Sequence, residues 1–246
     1  MEVIRRAVAE GVTPSADLCV WLEGEELLGF RHGQAATHPR AQPLHPQATW
    51  DLASLTKPLV GTAVALAMID AGELHFDSPV RGTTVADLLS HSAGYPAWLP
   101  LYEQTRDREQ LLELAASTPR DAAPGTYSDL GFLTLCQHLE ERGGERIDRL
   151  WERLVPHREG LSWGSSTATA TEDCPVRGRV VQGEVHDLNC WAMGGHSSHA
   201  GLFGDARAVA RAGWGFVQQA RAGGALRRAW TTRGAGSHWL GWDGRS

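Results

Sequence analysis

No C-x-x-C pair occurs among the four cysteines, Cys19, Cys136, Cys174 and Cys190, and their spacings fit no disulfide framework. Reduced thiols are expected. Clusters of basic residues are also missing. Lys and Arg are scattered and the net charge over 246 residues is −6, which leaves no electrostatic footprint for nucleic acid. The apolar run Leu59 to Ile69 is too short to span a bilayer and ends in Asp70. After Met1-Glu2-Val3-Ile4-Arg5-Arg6 comes a short mixed segment without an apolar core of signal-peptide length, so a cytoplasmic location is expected. There are no repeats and no low-complexity linker.

What is present fits a soluble globular chain of one large or two small domains, with 42% hydrophobic and 21% charged residues. Glu2 to Glu10 reads as a short helix ending at Gly11. Leu18 to Leu22 and Leu27 to Arg31, around Gly24-Glu25-Glu26, read as a hairpin. Helices are expected over Leu55 to Ala71, Thr84 to Ser90, Arg108 to Ser117, Leu130 to Arg142 and Ile147 to Leu154. A further helix over Asp205 to Ala220 could take Asp205 as its cap. Residues 160–204 are polar and rich in Gly, Ser and Thr, and a stretch this long without periodicity is often functional. Trp239 to Trp242 could begin one more strand. A lone hairpin is marginal, so the sheet is expected to be incomplete within this sequence.

Ser54-Leu55-Thr56-Lys57 places a hydroxyl and an amine three residues apart, and on a helix positions i and i+3 share a face. Serine needs an adjacent base to become a nucleophile, and Lys57 could supply it. Pro58 sharpens the placement. Its ring would clash with the carbonyl of Ser54 inside a helix, so the helix should start at or just before Ser54. Ser54 then lies at a positive helix end, where one free N–H could help to hold an oxyanion. Tyr127-Ser128-Asp129 follows the turn Pro124-Gly125 and precedes a helix. A phenol there could relay protons; equally, Tyr127 could be a packing residue followed by a Ser/Asp cap.

In order and separation, Ser54-Leu55-Thr56-Lys57, Leu88-Leu89-Ser90-His91-Ser92-Ala93-Gly94 and Tyr127-Ser128-Asp129 resemble the serine β-lactamase and penicillin-binding-protein superfamily. The likeness is greatest to its class C-like hydrolase branch, which includes esterases and D-amino-acid peptidases. Gly183 to Asp187 and Gly195 to Phe203 are similar to segments of such hydrolases. The resemblance implies an α/β (α+β) fold, with an antiparallel sheet flanked by helices and a mostly helical domain. On that pattern residues 1–50 would be the N-terminal part of the α/β domain, 51–225 the helical domain carrying both motifs, and 226–246 the start of a return to the α/β domain.

The resemblance also implies roles. Ser54 would be the acylated nucleophile, Lys57 its base and Tyr127 the proton shuttle to the leaving group. Asp129 would contact substrate, and it stands where many relatives have Asn. The third box of the superfamily, Lys/His-Thr/Ser-Gly on an edge strand, does not follow Trp242, and the C-terminal strands are expected to be absent from this chain. His199-Ala200-Gly201 superficially matches His-x-Gly, which makes His199 and Gly201 candidate substrate-binding residues, although their position before a helix matches a different segment of the family.

Glu172, Asp173, Cys174, Glu184, His186, Asp187, Cys190, His196 and His199 crowd one loop-rich region. They read as a metal site or as a hydrogen-bonded scaffold over the cleft. Their spacings fit no standard zinc site, and the resemblance implies a scaffold, with no metal and no cofactor. The expected function is a serine hydrolase working through an acyl-enzyme on an ester, a β-lactam or a small D-amino-acid amide. The alternatives are a catalytically silent relative that binds or regulates a partner, and a metal-dependent hydrolase on the 172–199 cluster. The expected partner is a small-molecule substrate, with neither nucleic acid nor membrane.

Overall fold

The computed structural model describes residues 1–244. Helix α1 (Glu2–Ala9) buries none of its residues. The predicted hairpin forms as β1 (Ser15–Leu22) and β2 (Glu25–Ala36), antiparallel with a register shift between Val20 and Trp21, and β3 (Gln42–Pro43) adds to the β2 edge. After the proline-marked loop come β4 (Trp50–Asp51), a 3₁₀ turn (Ala53–Leu55), a π-helical turn (Lys57–Thr62) and α2 (Ala63–Asp70). The sequence predicted one α-helix here. Pro58 has no N–H and cannot tolerate the Ser54 carbonyl in an α-turn, and the wider i→i+5 turn accommodates both facts. Gly72 ends the run at φ +75°. The stretch Ala53–Asp70 is apolar enough for a membrane span, but 61% of it is buried inside the fold.

The short strands β5 (Pro79–Val80) and β6 (Thr83–Thr84) lead into α3 (Val85–Leu89), which Thr84 and Asp87 close with a reciprocal capping box. Helices α4 (Arg108–Ser117), α5 (Asp129–Gly143) and α6 (Ile147–Leu154) lie within a residue of their predicted bounds. Val60, Val64 and Met68 pack with Leu130, Leu133 and Trp151 in one core. Trp151 Nε1 donates to the Leu59 carbonyl at 2.9 Å, a buried polar contact that fixes α6 on the π-helical turn.

Residues 160–204 hold more structure than their composition implied. They contain β7 (Ser162–Trp163), β8 (Ala170–Cys174), β9 (Arg179–Gln182), α7 (Leu188–Ala192) and β10 (Leu202–Gly204). β10 is the centre of a second small sheet in the order β4-β10-β7, which suspends the chain just before Ser54. Helix α8 (Ala206–Ala222) packs on β1. Asp205 caps α8 through the Ala208 N–H at 2.8 Å, as predicted, and also binds Arg31 at 3.1 Å. After α9 (Gly224–Ala229), Trp239 to Trp242 form no strand. The segment instead folds back against the helical part. The Ala235 N–H donates to Ser92 Oγ, Gly241 N–H to the Leu89 carbonyl, and Leu240 is buried. All four cysteines are free thiols.

Candidate active site

Ser54 is exposed on the 3₁₀ turn, and its approach is tightly built. Asp51 Oδ1 accepts the Ala53 N–H at 2.8 Å while Oδ2 accepts the His186 N–H at 2.6 Å. Burial raises the Asp51 pKa against these two donors. Ala53 sits at φ +46°, a left-handed conformation that costs a non-glycine residue about 1–2 kcal/mol. The Leu52 N–H donates to the Leu202 carbonyl at 2.9 Å, and Leu202 N–H to Thr56 Oγ1 at 3.2 Å. Strain at Ala53 is thus held from both sides, directly before the serine.

Lys57 is 3% exposed and donates to Ser54 Oγ at 3.0 Å and to Asp129 Oδ1 at 2.6 Å. It is the only lysine in the chain, a signal in the composition that the motif spacing overshadowed. Asp129 opens α5, and three bonds fix the motif that carries it. Ser128 N–H donates to His91 Nδ1 at 2.9 Å, Ser128 Oγ to the Pro96 carbonyl at 2.6 Å, and Asp129 N–H to the Ala97 carbonyl at 2.8 Å. His91 therefore carries its proton on Nε2. Burial, then the charges of His238 and Lys57, lower its pKa to about 3. A neutral imidazole anchors the Tyr127 loop at every higher pH.

Tyr127 is 45% exposed and lies on His91, with ring centroids 4.4 Å apart. Lys57 Nζ stands 4.7 Å from the Tyr127 ring centroid, a cation–π contact. Among the described residues the Tyr127 hydroxyl makes no hydrogen bond, so the ring rather than the phenol oxygen meets the amine. His238, which sequence reasoning missed, joins this cluster 5.0 Å from the His91 ring, with Nε2 donating to the Gly125 carbonyl at 3.1 Å. It comes from the folded-back C-terminal segment, and no pattern in the sequence signals that.

His199 and Gly201 do not form a substrate-facing box. The His199 side chain is 1% exposed, with Nε2 3.1 Å from Asp187 Oδ1 and Nδ1 2.7 Å from Ser197 Oγ. Both ring nitrogens are occupied inside the protein. Gly201 is buried at φ +111°, and a Cβ there would lie 2.2 Å from the Gly195 carbonyl oxygen. It permits a close backbone crossing, so its requirement is steric. The 172–199 polar cluster divides accordingly. Asp187 caps α7 through the Cys190 N–H at 2.7 Å, and His199 and Lys57 hold its pKa down to about 2 against burial. Asp129, Asp187 and His199 bring possible ligand atoms within 4.8 Å of one another, but Lys57 already binds Asp129 at 2.6 Å. One of the two carboxylates a metal would need is thus already paired with a cation.

The beta-lactamase family model matches residues 2–243. The chain belongs to the beta-lactamase family. Among curated relatives of this beta-lactamase-family chain, a putative D-alanyl-D-alanine carboxypeptidase of Escherichia coli K12 is 29% identical over 212 residues, covering 65% of the chain and 49% of the relative. An N-acetylmuramyl-L-alanine amidase of Bacillus subtilis 168 is 26% identical over 261 residues, covering 83% of the chain and 59% of that protein. The chain thus spans about half the length of the curated relatives it matches. A class C beta-lactamase from Rhodobacter sphaeroides superposes with a TM-score of 0.69 at 15% identity, covering 93% of this chain and 69% of that one. The beta-lactamase-like α/β fold is therefore the fold of this chain.

Proposed function

We propose that this beta-lactamase-family protein is a serine hydrolase working through an acyl-enzyme on Ser54. The Ser54–Lys57 contact of 3.0 Å carries the reading. Lys57 would act as base in its neutral amine form, reached when the ammonium gives one proton to solvent; Ser54 Oγ would then attack the substrate carbonyl as its proton passes to that amine. The ammonium so formed stays bound to Asp129. The carbonyl bond to the leaving group then breaks, the proton follows the leaving group, and water hydrolyses the Ser54 ester. The Ser54 backbone N–H is the first oxyanion donor. Tyr127, exposed beside Lys57, is placed to serve the leaving group once its hydroxyl turns toward bound substrate; hydrogen bonds of this kind often tighten only in the complex.

The substrate class is an ester, a β-lactam or a small D-amino-acid amide, and esters come first. Asp129 puts an acceptor where an amide carbonyl of a penicillin-type side chain would need a donor, and an ester makes no such demand. The relatives named as carboxypeptidase and amidase support acyl transfer from carbonyl substrates in general. Hydrolysis of p-nitrophenyl butyrate tests the proposal. The protein should turn it over, and Ser54→Ala should lower kcat/KM by at least ~10³-fold while leaving the thermal midpoint unchanged. Equal turnover by the two proteins would refute it.

A further inference from the structure

Behind Lys57 lies a buried polar chain that the acylation scheme does not use. Asp187 Oδ1 takes two donors, the Cys190 N–H at 2.7 Å and His199 Nε2 at 3.1 Å. As a carboxylate it can only accept, so His199 carries its proton on Nε2. Ser197, fully buried, sits on the other ring nitrogen at 2.7 Å. The loop bearing these groups is pressed onto the Lys57 turn. Ser198 Oγ donates to the Phe132 carbonyl at 2.5 Å, and a Cβ on Gly61 would lie only 2.7 Å from the Ser198 carbonyl oxygen. Gly61 stands four residues after Lys57, on the same turn.

We propose that Asp187, aimed by His199, is a second counter-ion for Lys57 and a positioning residue for the Ser54–Lys57 pair. Asp129, which binds the Lys57 ammonium at 2.6 Å, and Asp187 bring ligand atoms within 4.8 Å of each other, with His199 in the same group. Bringing two anions that close is costly without a cation between or beside them. Lys57 supplies that cation, and its charge is among the causes that keep Asp187 ionised. Asp129 binds the ammonium directly, whereas Asp187 acts through space and through His199. Its effect is largest when Lys57 has just taken the Ser54 proton, because only the charged form of the amine feels it. The charged and titratable groups facing the pair are Asp129, Tyr127 and His91 around Lys57, and His199, Cys190 and Asp51 around Asp187. The inference deepens the hydrolase reading and rests on it for its catalytic meaning.

A lone lysine gives the test an unusually clean readout. Protein carrying ¹³C-labelled lysine shows one Cε resonance, whose pH titration reports Lys57 directly and needs no substrate. Asp187→Asn and Asp187→Ser both remove the charge and keep a good helix cap for α7. In each, the pH response of that resonance should move toward lower pH than in wild type, since a nearby anion no longer favours the ammonium. The fold should be retained, as judged by far-UV circular dichroism. Midpoints equal to wild type in both variants would overturn the proposal. Loss of the fold in both would also overturn it, by making Asp187 a structural residue. If wild-type protein proves inert toward acyl reagents while the midpoints shift, the hydrolase reading falls and the counter-ion assignment stands.

Discussion

Lys57→Met should slow acylation of Ser54 by a fluorophosphonate by ~10³-fold, within the range that general-base removal produces. Methionine nearly matches the buried volume and cannot take a proton. No other lysine exists to replace the amine, and the remaining cationic side chains are arginines, which do not deprotonate. The substitution also strands the Asp129 carboxylate, which is about one-fifth exposed and has Lys57 as its ion-pair partner. Breaking a buried pair from one side costs about 3–5 kcal/mol, and partial exposure of Asp129 puts this case below that range. The double variant Lys57→Met/Asp129→Asn separates the two effects, because the neutral amide needs no ammonium. Its thermal midpoint should recover toward wild type while its labelling rate stays as low as that of Lys57→Met. Recovery of the rate along with stability would mean that Lys57 is a structural cation and no base.

Gly201→Ala should be a severely damaging single-methyl change. The new Cβ would lie 2.2 Å from the Gly195 carbonyl oxygen and 3.2 Å from Cys190 Sγ, with the backbone at φ +111°. The Gly195 backbone or the Gly201 backbone itself must move, and an alanine in that conformation is strained even without neighbours. A cost of about 3–5 kcal/mol is expected, lowering Tm by roughly 6–15 °C for a chain of this size. The damage should reach Ser54, because Gly201 leads into β10, and β10 holds β4 and Leu52 just ahead of that serine. A substrate-binding glycine would behave differently, with Tm within about 2 °C of wild type and KM raised alone. That pattern would restore the His-x-Gly reading.

The hairpin, the main helices and the Ser54–Lys57 pair were legible because each is written locally. The hairpin and helices follow period and caps, and the pair follows a three-residue spacing that survives even when an α-turn gives way to 3₁₀ and π turns. Strands β4, β7 and β10 were not legible. Each is two or three residues long, and their pairing is fixed by contacts distant in sequence, such as Phe203 with Asp51 and Leu202 with Trp163. The pairing of His199 was not legible for a related reason. His-Ala-Gly matched a short pattern, whereas its physical partner, Asp187, lies twelve residues earlier with an intervening helix. Asp51 and His91 hold Ser54 and Tyr127 through backbone N–H groups, an interaction with no side-chain signature. Lys57 as the sole lysine was available from composition alone.

Peptide mapping by mass spectrometry after fluorophosphonate treatment tests the central claim most directly. The account predicts one phosphonyl adduct, on the peptide containing Ser54 and at that residue, absent from Ser54→Ala. An adduct on another serine, or an unmodified Ser54 in folded protein, would contradict it.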